Sequence, residues 1–181
     1  MARLVIRAPL AWLGPGRATP DVQVTCEGGS IVEVGRVQPV PETDELIVAD
    51  GFLMPAGADR HVHVELGDHA EIVRGGVTAV RDLAWPADRI FPLAEASEMP
   101  GFNGPFIRAV GPMLTAPGGY PTQASWAPAG TGLEVADAHA ATTAVADLVA
   151  RGAVAIKVSL NEEAGPTPSD AHVDAPSAPA S

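Results

Sequence analysis

The sequence predicts an α/β protein built on a parallel sheet and preceded by a small all-β segment. Three observations lead there. After Pro55, strand-like runs alternate with helix-like ones, in the order RHVHVEL, DHAEIVRGG, VTAVRDL, ADRIFPLAEAS, PFIRAVGPML, EVADAHAATTAVADLVARGA and AIKVSL. Strands separated by helical patterns form βαβ units. Before Pro55 there are only short alternating runs parted by turn residues: RLVIRAPLAWL, DVQVTCEGGSIVEVGRV and DELIVADGFLMP. Finally, 46% of the 181 residues are hydrophobic, enough for a folded core.

The elements follow in order. Glu27 to Ser30, read EGGS, sits between two strand-like runs and predicts a hairpin. In the first parallel strand, residues two apart share a face. Asp59, His61, His63 and Glu65 line one side, and Val62, Val64 and Leu66 line the other, toward a core. The clearest helix is expected over 133–151, with Glu134 and Asp137 in its first turns, Arg151 in its last and Gly152 just past its end. These placements suit the helix dipole and a terminating glycine. Val145, Leu148 and Val149 mark its core face, and His139 belongs on its solvated side. The fourth strand, AIKVSL, puts Lys157 and Ser159 on one face and Ile156, Val158 and Leu160 on the other. The tail from residue 166 is rich in Pro, Ser and Ala without periodicity, as disordered ends are. The expected division is therefore 1–56 all-β, 57–165 α/β and 166–181 tail.

Composition removes several function classes. A net charge of −11 with no Lys/Arg cluster lacks the basic footprint of a nucleic-acid binder. The apolar runs are short and interrupted, so no membrane span is expected. Arg3 and Arg7 break up any signal-peptide core, which predicts a cytoplasmic protein. A single cysteine, Cys26, excludes an internal disulfide and a cysteine-based zinc site, and is expected as core filler. Two of the five histidines, His61 and His63, stand one residue apart, and neutral imidazole is the commonest protein metal ligand. Asp82 follows the second strand, where a carboxylate ordinarily orients a loop. Lys157 is the one lysine, and an ammonium has no lone pair for a metal unless it is deprotonated and chemically altered.

Taken together, DGFLMPAGADRHVHV, GGVTAVRDL, IRAVGPMLTAPGGYP and GAVAIKV resemble the metal-dependent amidohydrolases, especially imidazolonepropionase-like and related C–N hydrolases. The resemblance runs from about Ala49 to Leu160, and the order and spacing of the motifs are more specific than any one of them. It implies a (β/α)8 TIM-type barrel, of which this chain holds the first four strands, beside a small β-sandwich built from both chain ends. It also implies His61 and His63 as metal ligands, and Lys157 as the carboxylated lysine that bridges two metals in many members. The cofactor implied is Zn2+ or another divalent metal, one or two ions. The loop that carries Gly118, Gly119 and Tyr120 faces the substrate in this reading, since barrel sites lie at the carboxyl ends of strands.

The chain departs from the family pattern in two places. PAGAD replaces the usual Pro-Gly-Leu-Ile-Asp but keeps Asp59. The family also takes two histidines from its fifth and sixth strands and a catalytic aspartate from its eighth, and none of these has a counterpart here. His172 cannot stand in, because only Asn161 to Ala171 separate it from the fourth strand, and a parallel crossover takes about a dozen residues or more, usually with a helix. The expectation is a truncated amidohydrolase acting on a small-molecule amide or cyclic amide, with its general base absent. The alternative is a non-catalytic half-barrel fragment that needs a partner chain. Open sheet edges would then favour homo-oligomers.

Overall fold

A computed structural model describes residues 3–169, which fall into two compact units divided between Ala56 and Gly57. In the first unit, β1 (Leu4–Trp12) pairs antiparallel with β2 (Ala18–Glu27), and β2 with β3 (Ser30–Arg36). On its other edge β1 pairs in parallel with β4 (Glu45–Val48) and β5 (Phe52–Leu53). The hairpin falls where EGGS placed it, with Gly28 and Gly29 at φ 58° and 81°. That double left-handed geometry closes a two-residue turn without strain only for residues such as glycine. The strands form one sheet, so the expected sandwich is represented by a single layer among the described residues. Ala11, Val22 and Val24 are buried on one face, with Leu13, Cys26 and Leu53 packed against them.

The second unit opens with β6 (Gly57–Val62), followed by α1 (His69–Arg74), β7 (Val77–Asp82), α2 (Ala87–Ala96) and β8 (Phe106–Ala109). The three strands are parallel in the order β6-β7-β8. The chain continues through β9 (Met113–Thr115) and β10 (Gly132–Glu134) to α3 (Ala138–Ala150). Helices connect the strands as the alternating pattern predicts. Ile90, Ile107, Val80, Val64, Trp85 and Ala109 make one core, and Leu114, Val135, Ala141 and Leu148 make a second.

Several further expectations need correction. The first strand stops at Val62, and Val64–Leu66 form a 3-10 turn, so Glu65 leaves the face shared by His61 and His63, and Leu66 is exposed instead of buried. The third expected strand breaks into β8 and β9 at Gly111 (φ 76°), where a Cβ would meet Phe91 and Leu148 at 2.9 and 3.1 Å. The long helix starts later than 133. Glu134 lies in β10, pairing in parallel with β9, and Asp137 is the cap whose carboxylate accepts the Ala140 amide at 2.8 Å. Val149, assigned to the core face, is 45% exposed, while Leu148 is buried.

The fourth strand is reduced to a bridge. Leu114 pairs in parallel with Val158, its amide donating to the Lys157 carbonyl at 2.8 Å and its carbonyl accepting the Ser159 amide at 2.9 Å. Of the expected tail, Pro166 to Ser169 are described and Pro168 is buried. The remainder of that tail, with His172, lies outside the described residues. No helix among the described residues is long and apolar enough to cross a membrane.

Candidate metal centre

The parallel register brings the ends of consecutive strands together, and the candidate site is built there. His63 follows directly on β6. Its Nδ1 lies 3.0 Å from the Ala84 carbonyl, just beyond β7. A carbonyl only accepts, so Nδ1 carries the proton and Nε2 keeps its lone pair. This is the arrangement by which outer contacts orient metal-binding imidazoles. The His61 ring stands 6.2 Å from that of His63, centroid to centroid, at 72°. Asp59 braces the backbone just ahead of the pair, its Oδ1 accepting the His61 amide at 2.9 Å.

Asp82, the last residue of β7, is fully buried. Its Oδ2 accepts the Val64 amide at 2.8 Å and its Oδ1 the Ala84 amide at 3.1 Å. Burial holds the carboxyl above its ordinary value, while the two amides and the neighbouring His63 pull it down and Glu65 pushes it up. Lys157 is half-buried next to the Leu114–Val158 bridge. Burial lowers its ammonium pKa, and the facing Asp82 charge works in the opposite direction. Asp82, His63 and Lys157 thus share one electrostatic neighbourhood. Glu65 is engaged elsewhere, ion-paired with Arg89, which also lies over the Trp85 ring at 5.6 Å.

The expected loop residues come next to this cluster. Gly118 donates to Glu134 Oε1 at 2.8 Å, and the Gly119 amide closes a turn on the Ala116 carbonyl at 2.8 Å. A Cβ at Gly119 would collide with Thr115 Oγ1 and the Pro166 carbonyl, so only glycine lets the loop lie this close. The Tyr120 hydroxyl accepts from Trp126 Nε1 at 3.1 Å, and the Trp126 ring sits 4.6 Å from His63. Trp126 and the Ala84 carbonyl were not singled out by sequence. Trp126 is an aromatic residue in the otherwise small and polar stretch TQASWAPAG, and that is the only local signal it gives.

A divalent metal fits these donors in part. Two imidazoles stand at one strand end, one with its free nitrogen fixed by the proton on the other, and a lysine whose ammonium pKa is lowered by burial is close by. No group of three His, Cys, Asp or Glu side chains that could hold a metal occurs among the described residues. Catalytic zinc ordinarily takes three protein ligands. The donors gathered here fall short of that number.

Solved structures of similar fold include several described as amidohydrolases or related hydrolases, in line with the resemblance the sequence carries. A prolidase complexed with N-methylphosphonate-L-proline matches with a TM-score of 0.74 at 22% identity, over 93% of this chain and 49% of its own. An amidohydrolase matches at 0.72 and 20%, over 92% and 49%. The ochratoxinase of A. niger matches at 0.68 and 19%, over 86% and 46%. The chain therefore spans about half the length of the solved structures it matches. No family model and no curated protein matches the sequence.

Proposed function

We propose that this chain supplies the first four strands of a partial (β/α)8 barrel, and with them half of the metal centre of a hydrolase that cleaves amide or cyclic-amide C–N bonds. The observation that carries the proposal is His63. Its Nδ1 proton is given to the Ala84 carbonyl and its Nε2 is left free beside His61, at the carboxyl end of a parallel strand. His61 and His63 would hold Zn2+ or another divalent ion, and Lys157, once carboxylated, would be the third donor. Bound there, the ion would lower the pKa of water and polarise the scissile carbonyl.

This chain's own residues prepare that chemistry. The Ala84 carbonyl fixes the His63 tautomer, and Asp82 ties the ends of β6 and β7 together through the Val64 and Ala84 amides. Burial keeps Lys157 toward the neutral amine that can react with carbon dioxide. The Gly118–Gly119–Tyr120 loop, pressed onto Thr115, would offer the Tyr120 hydroxyl to a small-molecule substrate. With one cysteine and so no internal disulfide to form, the protein works in the cytoplasm in this reading.

Co2+ titration by calorimetry tests the proposal. Weak binding is expected because two imidazoles and one amine fall short of a full shell, and His61→Ala or His63→Ala should abolish it. A wild-type chain that binds no more Co2+ than His63→Ala would overturn the metal centre. Stoichiometric zinc retained through dialysis would instead contradict the half-site. Protein carrying this sequence that hydrolyses only esters or phosphates would contradict the C–N assignment.

One observation favours a second reading, a non-catalytic fragment that pairs with another chain. Every residue from Gly57 to His61 in β6 is exposed, and no strand among the described residues covers its outer edge. Such an edge is a template for another strand.

A further inference from the structure

We infer that Trp126 is a positioning residue that locks the His63 imidazole and couples it to the Tyr120 loop. The inference rests on the metal-centre reading of His63. The Trp126 ring lies 4.6 Å from the His63 ring at an interplanar angle of 45°, so it covers one face of the imidazole. The Ala84 carbonyl holds the same imidazole by its edge, at Nδ1. One contact fixes which nitrogen carries the proton, and the other limits the tilt of the ring. Together they leave His63 little rotamer freedom to lose when a ligand binds at Nε2.

Trp126 is itself held from two directions. Its Nε1 proton goes to the Tyr120 hydroxyl at 3.1 Å, and its ring packs on the core that contains Val64, Trp85 and Ile107. Tyr120 is anchored in turn, because the Thr122 hydroxyl and amide both donate to the Gly119 carbonyl, at 2.7 and 3.1 Å. A continuous path of contacts therefore runs from the glycine-rich loop through Tyr120 and Trp126 to His63. Because the Tyr120 oxygen accepts from the indole, its own proton remains available to a substrate atom. Filling the loop and filling Nε2 then favour each other reciprocally.

The test compares Trp126→Ala and Trp126→Phe with the wild-type chain, using Co2+ as the probe. It reads affinity by calorimetry and tryptophan emission during the titration. Trp126→Ala, which removes the face contact, should weaken Co2+ binding about tenfold, the low end of what outer contacts to metal ligands contribute. Trp126→Phe keeps a ring over His63 and should recover most of that affinity. The same variant should lose the emission quench that Co2+ causes in the wild type, because Trp126 is the indole in contact with the ligand.

A Trp126→Ala chain that binds as the wild type does, or a Trp126→Phe chain that still quenches fully, overturns the inference and leaves the metal centre intact. If Trp126→Ala does not fold, the Trp126→Phe pair of readouts decides alone. A wild-type chain that binds no Co2+ overturns the metal centre itself, and the inference with it.

Discussion

The Val64 amide donates to the Asp82 carboxylate Oδ2 at 2.8 Å, which joins the turn after β6 to the end of β7 within a fully buried site. The other oxygen of the same carboxylate accepts the Ala84 amide, whose own carbonyl orients His63. Asp82→Asn replaces one acceptor oxygen by a donor and leaves one buried amide unpaired. It should cost about 1–3 kcal/mol in urea unfolding, and Asp82→Ala should cost more.

Asp82 also sets a pH dependence. Burial raises its folded-state pKa above the ordinary 3.8, so the folded chain holds the proton more tightly than the unfolded chain does. The resulting stabilisation is complete below 3.8 and is lost as pH rises through the folded-state value. The stability of the wild type relative to Asp82→Asn should fall with rising pH across that window and then level off. A difference that grows with pH there would contradict the burial argument.

Lys157 offers a chemical readout, because it is the only lysine in the chain. Burial lowers its pKa from the ordinary 10.5. Its amine should therefore acylate with a pH midpoint below that of an exposed lysine, as followed by mass spectrometry of the peptide that contains Ile156 to Leu160. A midpoint at or above the ordinary value would show that the ammonium is not desolvated.

Gly119 is irreplaceable on steric grounds. A Cβ there meets Thr115 Oγ1 and two backbone carbonyls, those of Pro166 and Ala116, which cannot both retreat. Gly119→Ala should lower stability by about 1–3 kcal/mol, as overpacking does, and displace Tyr120 from Trp126. An unchanged urea midpoint would mean that the loop does not pack on Thr115.

The open edge of β6 predicts self-association. Gel filtration should show a dimer or larger species that shifts with concentration. A monomer at every concentration would count against the pairing reading.

What the sequence determined by itself is local chemistry. Gly28 and Gly29 specify a hairpin because their φ values are open to glycine, and Gly152 marks the end of α3 because a terminating glycine needs only its own neighbours. The histidine pair and the single lysine were legible as residue types suited to a site, and the alternation of runs announced the parallel sheet. The tertiary structure decided the rest, because each remaining feature depends on partners far along the chain. The alternating pattern would carry the first strand through Leu66, but the Asp82 carboxylate, eighteen residues from Val64, captures its amide and the backbone turns. Glu65 left the ligand face for Arg89, and Trp126, in a stretch with no periodicity, came to rest on His63 through a bond to Tyr120. Spacing along a strand can place two imidazoles on one side. Only the packing of separate strand ends fixes which nitrogen is free and what covers the ring.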